Sequence, residues 1–245
     1  MFNFFIEDGF TGDTVTLTGN DYNHVKNVLR MKEGDDVLIS HDKKSSLCSI
    51  KEFTDDSVIL SVIKEDYAAT ALPIEIILFQ GLPKSDKLEL IIQKAVELGA
   101  KKIVPVEMER SIVKIEDKKK KSKTERWQSI AESAAKQSKM TFIPEASIPL
   151  SFADAVNYAK SLDQVIVPYE NKDGMSATVS ALKDIKAGQK IGVFIGPEGG
   201  FAQKEIDLLN GINAKTISLG KRILRTETAA ITTLSMLMLY AEINL

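Results

Sequence analysis

Two segments of the chain combine glycine, carboxylate and arginine in patterns that could bind a ligand and assist a reaction. In IGVFIGPEGGF, residues 191–201, an apolar run leads directly into a glycine-rich turn. The run predicts a strand covered on both faces. Ligands of open α/β sheets bind at the carboxyl ends of strands, so this turn lies where a ligand is expected. A tight strand–helix turn without a ligand is the alternative interpretation.

The glycine turn is unlike a phosphate-binding loop. It matches neither G-x-G-x-x-G nor G-x-x-x-x-G-K-[ST]. Its central residue, Glu198, would repel a diphosphate. We therefore expect a ligand with hydroxyls, an amino group or a positive centre, which disfavours a flavodoxin-like or nucleotide-binding protein.

The second segment is SLGKRILRTETAAITTLSML, residues 218–237. It predicts a strand end, a short basic loop and a helix capped by Thr226. Glu227 in the first turn would be favourable against the helix dipole. Small side chains over residues 229–235 would allow another backbone to approach closely. A well-capped terminal helix without further role is the alternative.

The remaining elements would hold these segments in place. Residues 1–66 show short apolar runs separated by turn-forming clusters, which predicts a small β-barrel. One helix, with Asn20 or Asp21 as its N-cap, interrupts these runs. YAATALP, ending at Pro73, is a plausible linker. From Ile74 onward, strands alternate with helices, the last over about residues 226–244, which indicates an α/β fold with a mostly parallel sheet. The basic stretch DKKKKSK precedes a helix predicted over residues 124–139.

Composition excludes several classes of protein. The 245 residues are 44% hydrophobic with a net charge of -2, and they include one cysteine and two histidines. An internal disulfide is impossible and a structural zinc site is disfavoured. Because no apolar run reaches about 20 residues and the N-terminus is acidic, we expect a cytoplasmic protein with no membrane partner and no metal. Residues 101–140 carry 12 Lys and Arg against 6 Asp and Glu, which suggests a surface facing a polyanion, although lysine runs are usually solvated faces.

GPEGGF, followed about twenty residues later by LGKRILRTETA, resembles the signature of the SPOUT class of methyltransferases. More closely, it is similar to the family that methylates nitrogen-3 of a uridine in small-subunit (16S) ribosomal RNA. FQGLPKSDKLELIIQKAVELGAKKIVPVEMERS, RWQSIAESAAKQS and HVKNVLRMKEGDDV resemble further parts of that family in the same order. The resemblance covers nearly the whole chain; Asn3 stands where members commonly carry arginine.

The resemblance implies a PUA-like β-barrel over residues 1–70 that binds RNA, and a SPOUT methyltransferase domain over residues 74–245 with a deep trefoil knot. It also implies a homodimer acting on 16S ribosomal RNA within a 30S particle, with S-adenosyl-L-methionine as the methyl donor. The residues implied to line the donor's pocket, largely through backbone groups, are Ile195, Gly196, Pro197, Glu198, Gly199, Gly200, Leu219, Gly220, Leu224 and Thr226, with Tyr169 at its border.

Methyl transfer to a uridine needs the imide proton to leave and the resulting anion to be stabilised. We expect Arg225 to stabilise the anion. Glu170 and Glu227 are alternative proton acceptors, against the interpretations of a solvated strand end and a helix-dipole partner. The candidate RNA contacts are His24, Arg30, Lys84, Arg110, Lys136 and Gln137.

Two other functions stay open. One is a SPOUT methyltransferase acting on another RNA site, either a base or a ribose 2′-hydroxyl. The other is a non-catalytic RNA-binding factor in ribosome assembly that keeps the fold.

Overall fold

The computed structural model describes residues 1–6, 10–41, 44–67, 70–169 and 174–245. The chain forms two compact units. The first comprises Met1–Ala71 together with Ala135–Ile143, and the second comprises Leu72–Ala134 together with Pro144–Leu245. The nine residues 135–143 therefore belong with the N-terminal region, which the linear pattern of strands and helices did not indicate.

The first unit contains a six-stranded sheet. Its strands are β1 (Asn3–Phe5), β2 (Phe10–Thr11), β3 (Thr14–Thr18), β4 (Asp36–His41), β5 (Lys44–Phe53) and β6 (Ser57–Lys64). They are ordered β1-β4-β5-β6-β3-β2. The β1–β4 pairing is parallel and the others are antiparallel. Alternate apolar side chains, among them Val15, Leu17, Val37 and Leu60, form its core.

The helix predicted with Asn20 or Asp21 as its N-cap starts earlier, at Gly19, and its N-cap is Thr18. Helix α1 (Gly19–Asn23) continues into a π-helical turn, His24–Val28. Asn3 is buried: its amide donates to the carbonyl of Met140 at 3.0 Å, and its oxygen accepts from Ser40 Oγ at 2.9 Å. The residue at the family's arginine position is therefore structural in this chain.

The second unit contains a seven-stranded sheet in which all pairings described are parallel. Its strands are β7 (Glu75–Gly81), β8 (Ala100–Glu107), β9 (Glu145–Ala146), β10 (Leu150–Ser151), β11 (Gln164–Pro168), β12 (Lys190–Ile195) and β13 (Lys215–Ile217). The order is β10-β8-β7-β12-β11-β13, and β9 pairs with β8. The parallel α/β sheet predicted from the sequence is confirmed.

The described helices that connect and follow these strands are α2 (Lys87–Glu97), α3 (Asp117–Ser138), α4 (Phe152–Ala159), α5 (Met175–Lys183), α6 (Gln203–Asn210) and α7 (Thr226–Asn244). The prediction for α3 was too short at its start, because the lysine run 118–121 is itself helical. Lysine is a good helix former, and Lys120 pairs with Glu107 at 3.0 Å and with Asp117 at 3.1 Å. These two ion pairs contribute to a helical conformation in the lysine run, which the sequence pattern placed before the helix.

The strand order places a topological switch point between β7 and β12. From β7 the chain proceeds to β8 on one side, whereas from β12 it proceeds to β13 on the other side, beyond β11. Ligands of open α/β sheets bind at the carboxyl ends of strands at such a point. The loops that follow β7 and β12 therefore define the position where a site is expected.

Candidate functional site

The glycine turn and the basic segment meet through one hydroxyl group. Thr226 Oγ1 donates to the carbonyl oxygen of Gly196 at 2.7 Å and accepts a hydrogen bond from Gln80 Nε2 at 2.9 Å. Gln80 is fully buried near the end of β7 and also donates to the carbonyl of Gly81. Two hydrogen bonds through the Thr226 hydroxyl thus join the ends of β7 and β12 to the start of α7.

This geometry corrects the expected role of Thr226. Helix α7 begins at Thr226, and its N-cap is Arg225, whose side chain makes no capping hydrogen bond. The Thr226 hydroxyl is used between segments instead of at the helix end. It is 5% exposed, so loss of either partner would leave a buried polar group unpaired.

The glycines of the turn are required by close packing. A Cβ at Gly196 would lie 3.2 Å from the backbone of Gly200, and one at Gly199 would lie 2.9 Å from Arg110 Cβ. Gly200 has a positive φ of 67°, a region that favours glycine. Its N–H donates to the carbonyl of Pro197 at 2.9 Å, which closes the turn.

Glu198 points toward the start of α2. Its carboxylate accepts from the backbone N–H of Lys84 at 3.1 Å and pairs with Lys87 Nζ at 3.1 Å. Burial by itself would raise the pKa of Glu198, but backbone hydrogen bonds, including that from Lys84, and the contact with Lys87 lower it overall. The negative charge of Glu198, which would repel a diphosphate, is therefore paired with Lys87 and the backbone N–H of Lys84.

Lys87 also contacts Glu227 in the first turn of α7, with 3.2 Å between Nζ and Oε2. Contacts with Glu198 first, and with Glu227 second, raise the pKa of the Lys87 ammonium. Glu227 Oε2 is buried and has no hydrogen-bond partner of good geometry among the described residues, so its contact with Lys87 is an ion pair without a directed hydrogen bond. Gln80 Oε1 is likewise a buried acceptor without a partner there.

The loop between β13 and α7 presents its charged side chains to solvent. Lys221, Arg222 and Arg225 are exposed, and Ile223 is 94% exposed. Arg225 forms no ion pair with any residue that the structure describes. Leu219 and Leu224 are half-buried, and Gly220 has a φ of 102°. Arg225 is thus at the border of the site, and its guanidinium is exposed and forms no ion pair with the described residues.

Tyr169 follows β11 and extends it, since its N–H donates to the carbonyl of Ile217 on β13 at 3.0 Å. Its ring contacts Phe201 edge-on, with 6.3 Å between centroids, so it borders the glycine turn. The other proton-acceptor candidate, Glu170, lies outside the described residues. Ile195 is the last residue of β12 and is buried.

The candidate RNA contacts divide between the two units. His24, Arg30, Lys136 and Gln137 belong to the first unit, and Lys84 and Arg110 belong to the second. His24, Arg30 and Gln137 are exposed, whereas Lys136 pairs with Asp21 at 3.5 Å. Lys84 is exposed, and the Arg110 guanidinium donates to the carbonyl of Gly199 at 3.1 Å. Arg110 therefore supports the glycine turn.

Sequence reasoning missed two residues of this cluster, Gln80 and Lys87. A signal was present for both. Gln80 is the one polar residue in the apolar strand run IEIILFQGL apart from Glu75, and a buried amide needs partners. Lys87 is a cation at the first position of a helix, where the dipole favours an anion.

Searches for metal and membrane features gave nothing in the described part of the chain. There, no group of three His, Cys, Asp or Glu side chains is arranged to hold a metal ion. The described helices also include none with both the length and the apolar character needed to cross a bilayer.

Comparison with known proteins assigns the chain to a family. A family model described as an RNA methyltransferase domain matches residues 70–238, and one described as an RNA methyltransferase PUA domain matches residues 17–63. Ribosomal RNA small subunit methyltransferase E of Bacillus subtilis (strain 168) is 38% identical over 234 residues, which are 94% of this chain and 91% of that protein. The protein of the same name from Synechocystis is 30% identical, over 88% of this chain and 70% of that one.

A solved structure agrees with these relatives. The crystal structure of a ribosomal RNA small subunit methyltransferase E from Neisseria gonorrhoeae, bound to S-adenosyl methionine, has a TM-score of 0.81 with 27% identity. The match covers 98% of this chain and 97% of that one. The resemblance inferred from the sequence is confirmed: the chain belongs to the ribosomal RNA small subunit methyltransferase E family.

Proposed function

We propose that the protein transfers a methyl group from S-adenosyl-L-methionine to nitrogen-3 of one uridine in 16S ribosomal RNA. The observation that carries the proposal is the hydrogen bond from Thr226 to Gly196. It joins the two signature segments at the switch point of the sheet, in a chain that belongs to an RNA methyltransferase family.

The residues at this edge suit the proposed methyl donor. Gln80 Oε1 is a buried acceptor without a hydrogen-bond partner among the described residues. S-adenosylmethionine carries ribose hydroxyls and amino groups that can donate, and its sulfonium is positive. Glu198 and Glu227 supply negative charge, and the turn is not a phosphate loop. When bound, the donor supplies an electrophilic methyl group. We assign Ile195–Gly200, Leu219, Gly220, Leu224 and Thr226 to its pocket, with Tyr169 at the border.

For the reaction itself, the chain must orient the uridine and handle its proton. Arg225, exposed and without an ion pair in the described residues, is free to stabilise the uridine anion by charge-assisted hydrogen bonds. Glu227, which lies in the first turn of α7 and pairs with Lys87, is one candidate proton acceptor. Glu170, outside the described residues, is the alternative acceptor.

The remaining features of the proposal concern substrate and assembly. The barrel of residues 1–70 and the methyltransferase domain of residues 74–245 would both contact RNA, through His24, Arg30, Lys84, Arg110, Lys136 and Gln137. We further propose the SPOUT trefoil knot, a homodimer, a cytoplasmic location, and a 30S particle as the substrate in ribosome biogenesis. Exposed basic groups in both units support RNA binding.

The test is mass mapping of 16S ribosomal RNA from cells that lack this protein, with complementation by the wild-type chain and by Arg225→Ala. We expect loss of one 3-methyluridine, restored by the wild type only. Purified protein should also transfer labelled methyl groups to 30S particles from the deletion strain. An unchanged modification map would overturn the proposed target.

Three further measurements separate the alternatives. Base methylation survives complete digestion of the RNA to free bases, whereas ribose methylation does not, so product analysis would identify a 2′-hydroxyl target. A non-catalytic assembly factor would show no saturable binding of S-adenosylmethionine by calorimetry. Competition by ATP or NAD for the site would indicate a nucleotide-binding protein.

A further inference from the structure

Lys87 occupies a position where local electrostatics disfavours a lysine. It is the first residue of helix α2, after the N-cap Asp86, and the positive end of the helix dipole lies there. Residues that break a local rule are expected at functional positions or where a neighbouring group compensates. Here the compensation comes from two carboxylates that belong to other segments.

Those carboxylates come from the two signature segments. Lys87 Nζ lies 3.1 Å from Glu198 Oε1 in the glycine turn and 3.2 Å from Glu227 Oε2 in the first turn of α7. The side chains of Lys87, Glu198 and Glu227 are 30%, 28% and 16% exposed. One ammonium thus holds two partly buried anions on segments that contribute to a single pocket in the proposed function.

We propose that Lys87 is a positioning residue for the methyl donor. Its ammonium contacts both Glu198 and Glu227 and so fixes the glycine turn relative to the start of α7. This inference rests on the proposed function. It assigns Lys87 no contact with the donor or the uridine.

Without the ammonium, the two carboxylates would repel each other across the pocket wall. Removing one partner of a buried charge pair leaves the remaining charge uncompensated, which is more costly than the loss of an exposed pair. The pocket could recover by separating the two segments or by taking up a proton on one carboxylate. Both responses change donor binding, and the second makes it depend on pH.

The charges around Lys87 define the pH range of its effect. Glu198 faces it from the glycine turn and Glu227 faces it from α7. On α2 itself, Glu89 is paired with Arg126 at 2.8 Å, and Lys84 approaches Glu198 with its backbone N–H.

In the wild type, the pKa of Glu198 is lowered and that of Lys87 is raised. The stabilisation from Glu198 is therefore present above the ordinary carboxyl pKa and is lost as pH falls through the lowered value. The stabilisation from Lys87 is present below the ordinary lysine pKa and is lost only above it. Donor affinity governed by this pair should be flat between roughly pH 5 and pH 10.

The experiment compares Lys87→Met and Lys87→Arg in the full chain, with Lys94→Met as the matched control. Lys94 lies on the same helix and pairs with Glu97 at 2.8 Å, away from Glu198 and Glu227 in the contacts described. S-adenosylmethionine binding is measured by calorimetry from pH 5.5 to pH 8, together with methylation kinetics on 30S particles and thermal unfolding.

We expect Lys87→Met to weaken donor affinity about tenfold at pH 8, with a rise in the KM for the donor and a smaller fall in kcat. Affinity of this variant should improve several-fold as pH falls to 5.5, because one carboxylate then takes up a proton. The wild type and Lys94→Met should show no such slope. Lys87→Arg should recover most of the affinity, because it keeps the positive charge.

Different results separate this inference from the proposed function. A wild-type chain that binds no S-adenosylmethionine would overturn both. Normal binding by the wild type, with Lys87→Met equal to it or with an affinity loss that is independent of pH, would overturn the role of Lys87 alone. If Lys87→Met unfolds, Lys87→Gln carries the same test, since it keeps a polar side chain of similar length without the charge.

Discussion

The two loops of the candidate site differ in how firmly the protein holds them. The glycine turn, residues 196–202, is closed by its own hydrogen bond and supported by Arg110, and it ends in the buried pair Phe201 and Ala202. Glu205 adds a further contact by accepting from the backbone N–H groups of Ala202 and Glu109, at 2.8 Å each. The turn is therefore held at several points by Thr226, Lys87, Arg110 and Glu205 of the second unit.

In the basic loop, residues 218–225, the contacts with other elements among the described residues are at its ends. Ser218 exchanges hydrogen bonds with Thr178 on α5, and Thr226 begins α7 at the other end. Between them lie exposed cations and the 94% exposed Ile223. In the proposed function, the two loops would therefore bind different molecules. The firmly held turn suits a small methyl donor of fixed shape, and the open loop suits a large anionic substrate.

The largest effect should come from the open loop. Arg225→Ala should reduce methylation turnover roughly 100-fold, because one preorganised donor to a developing anion contributes about that factor. Donor affinity should change less than threefold, since Arg225 contributes no contact that holds the glycine turn in the described structure. Calorimetry and single-turnover methylation measure the two effects separately, with Arg222→Ala as the control. Equal losses in binding and turnover would contradict the division between the loops.

A smaller effect should come from the junction of the two loops. Thr226→Val keeps the shape but removes the hydroxyl that bonds Gln80 and Gly196, leaving the partly buried carbonyl of Gly196 without its donor. The expected loss is about 1–3 kcal/mol of stability and about tenfold in donor affinity. Thermal unfolding and calorimetry test this, and Thr226→Ser should behave nearly as wild type. A normal Thr226→Val variant would mean that packing alone holds the loops together.

The smallest effect should come from the first unit. Arg30 is exposed and has no ion pair among the described residues, so Arg30→Ala should weaken RNA binding about threefold and reduce the salt slope by about one. Donor binding should stay unchanged. The control is Lys44→Ala, because Lys44 already pairs with Asp66 at 3.4 Å. The measurement is RNA affinity over a series of salt concentrations. If the slope of log affinity against log salt concentration is the same in Arg30→Ala as in the wild type, Arg30 does not contact RNA.

The sequence by itself determined the family, the parallel sheet and the order of its elements. Continuous apolar runs such as IEIILFQGL specify strands buried on both faces, and β7 is buried along nearly its whole length. Glycine spacing marked the turn, and the sequence pattern predicted the bounds of α7 over residues 226–244. These are local properties, which depend on a residue's near neighbours in the chain.

The tertiary structure alone decided which side chains share a hydrogen bond or an ion pair. The sequence predicted Thr226 as a cap, whereas in the fold its hydroxyl bonds to Gly196. The sequence also contained no sign that Glu198 pairs with Lys87. Gln80 and Thr226 are 146 positions apart in the chain, and no local pattern specifies that they meet. Their contact follows from strand order and from the requirement that buried polar groups find partners, and both are properties of the whole folded chain.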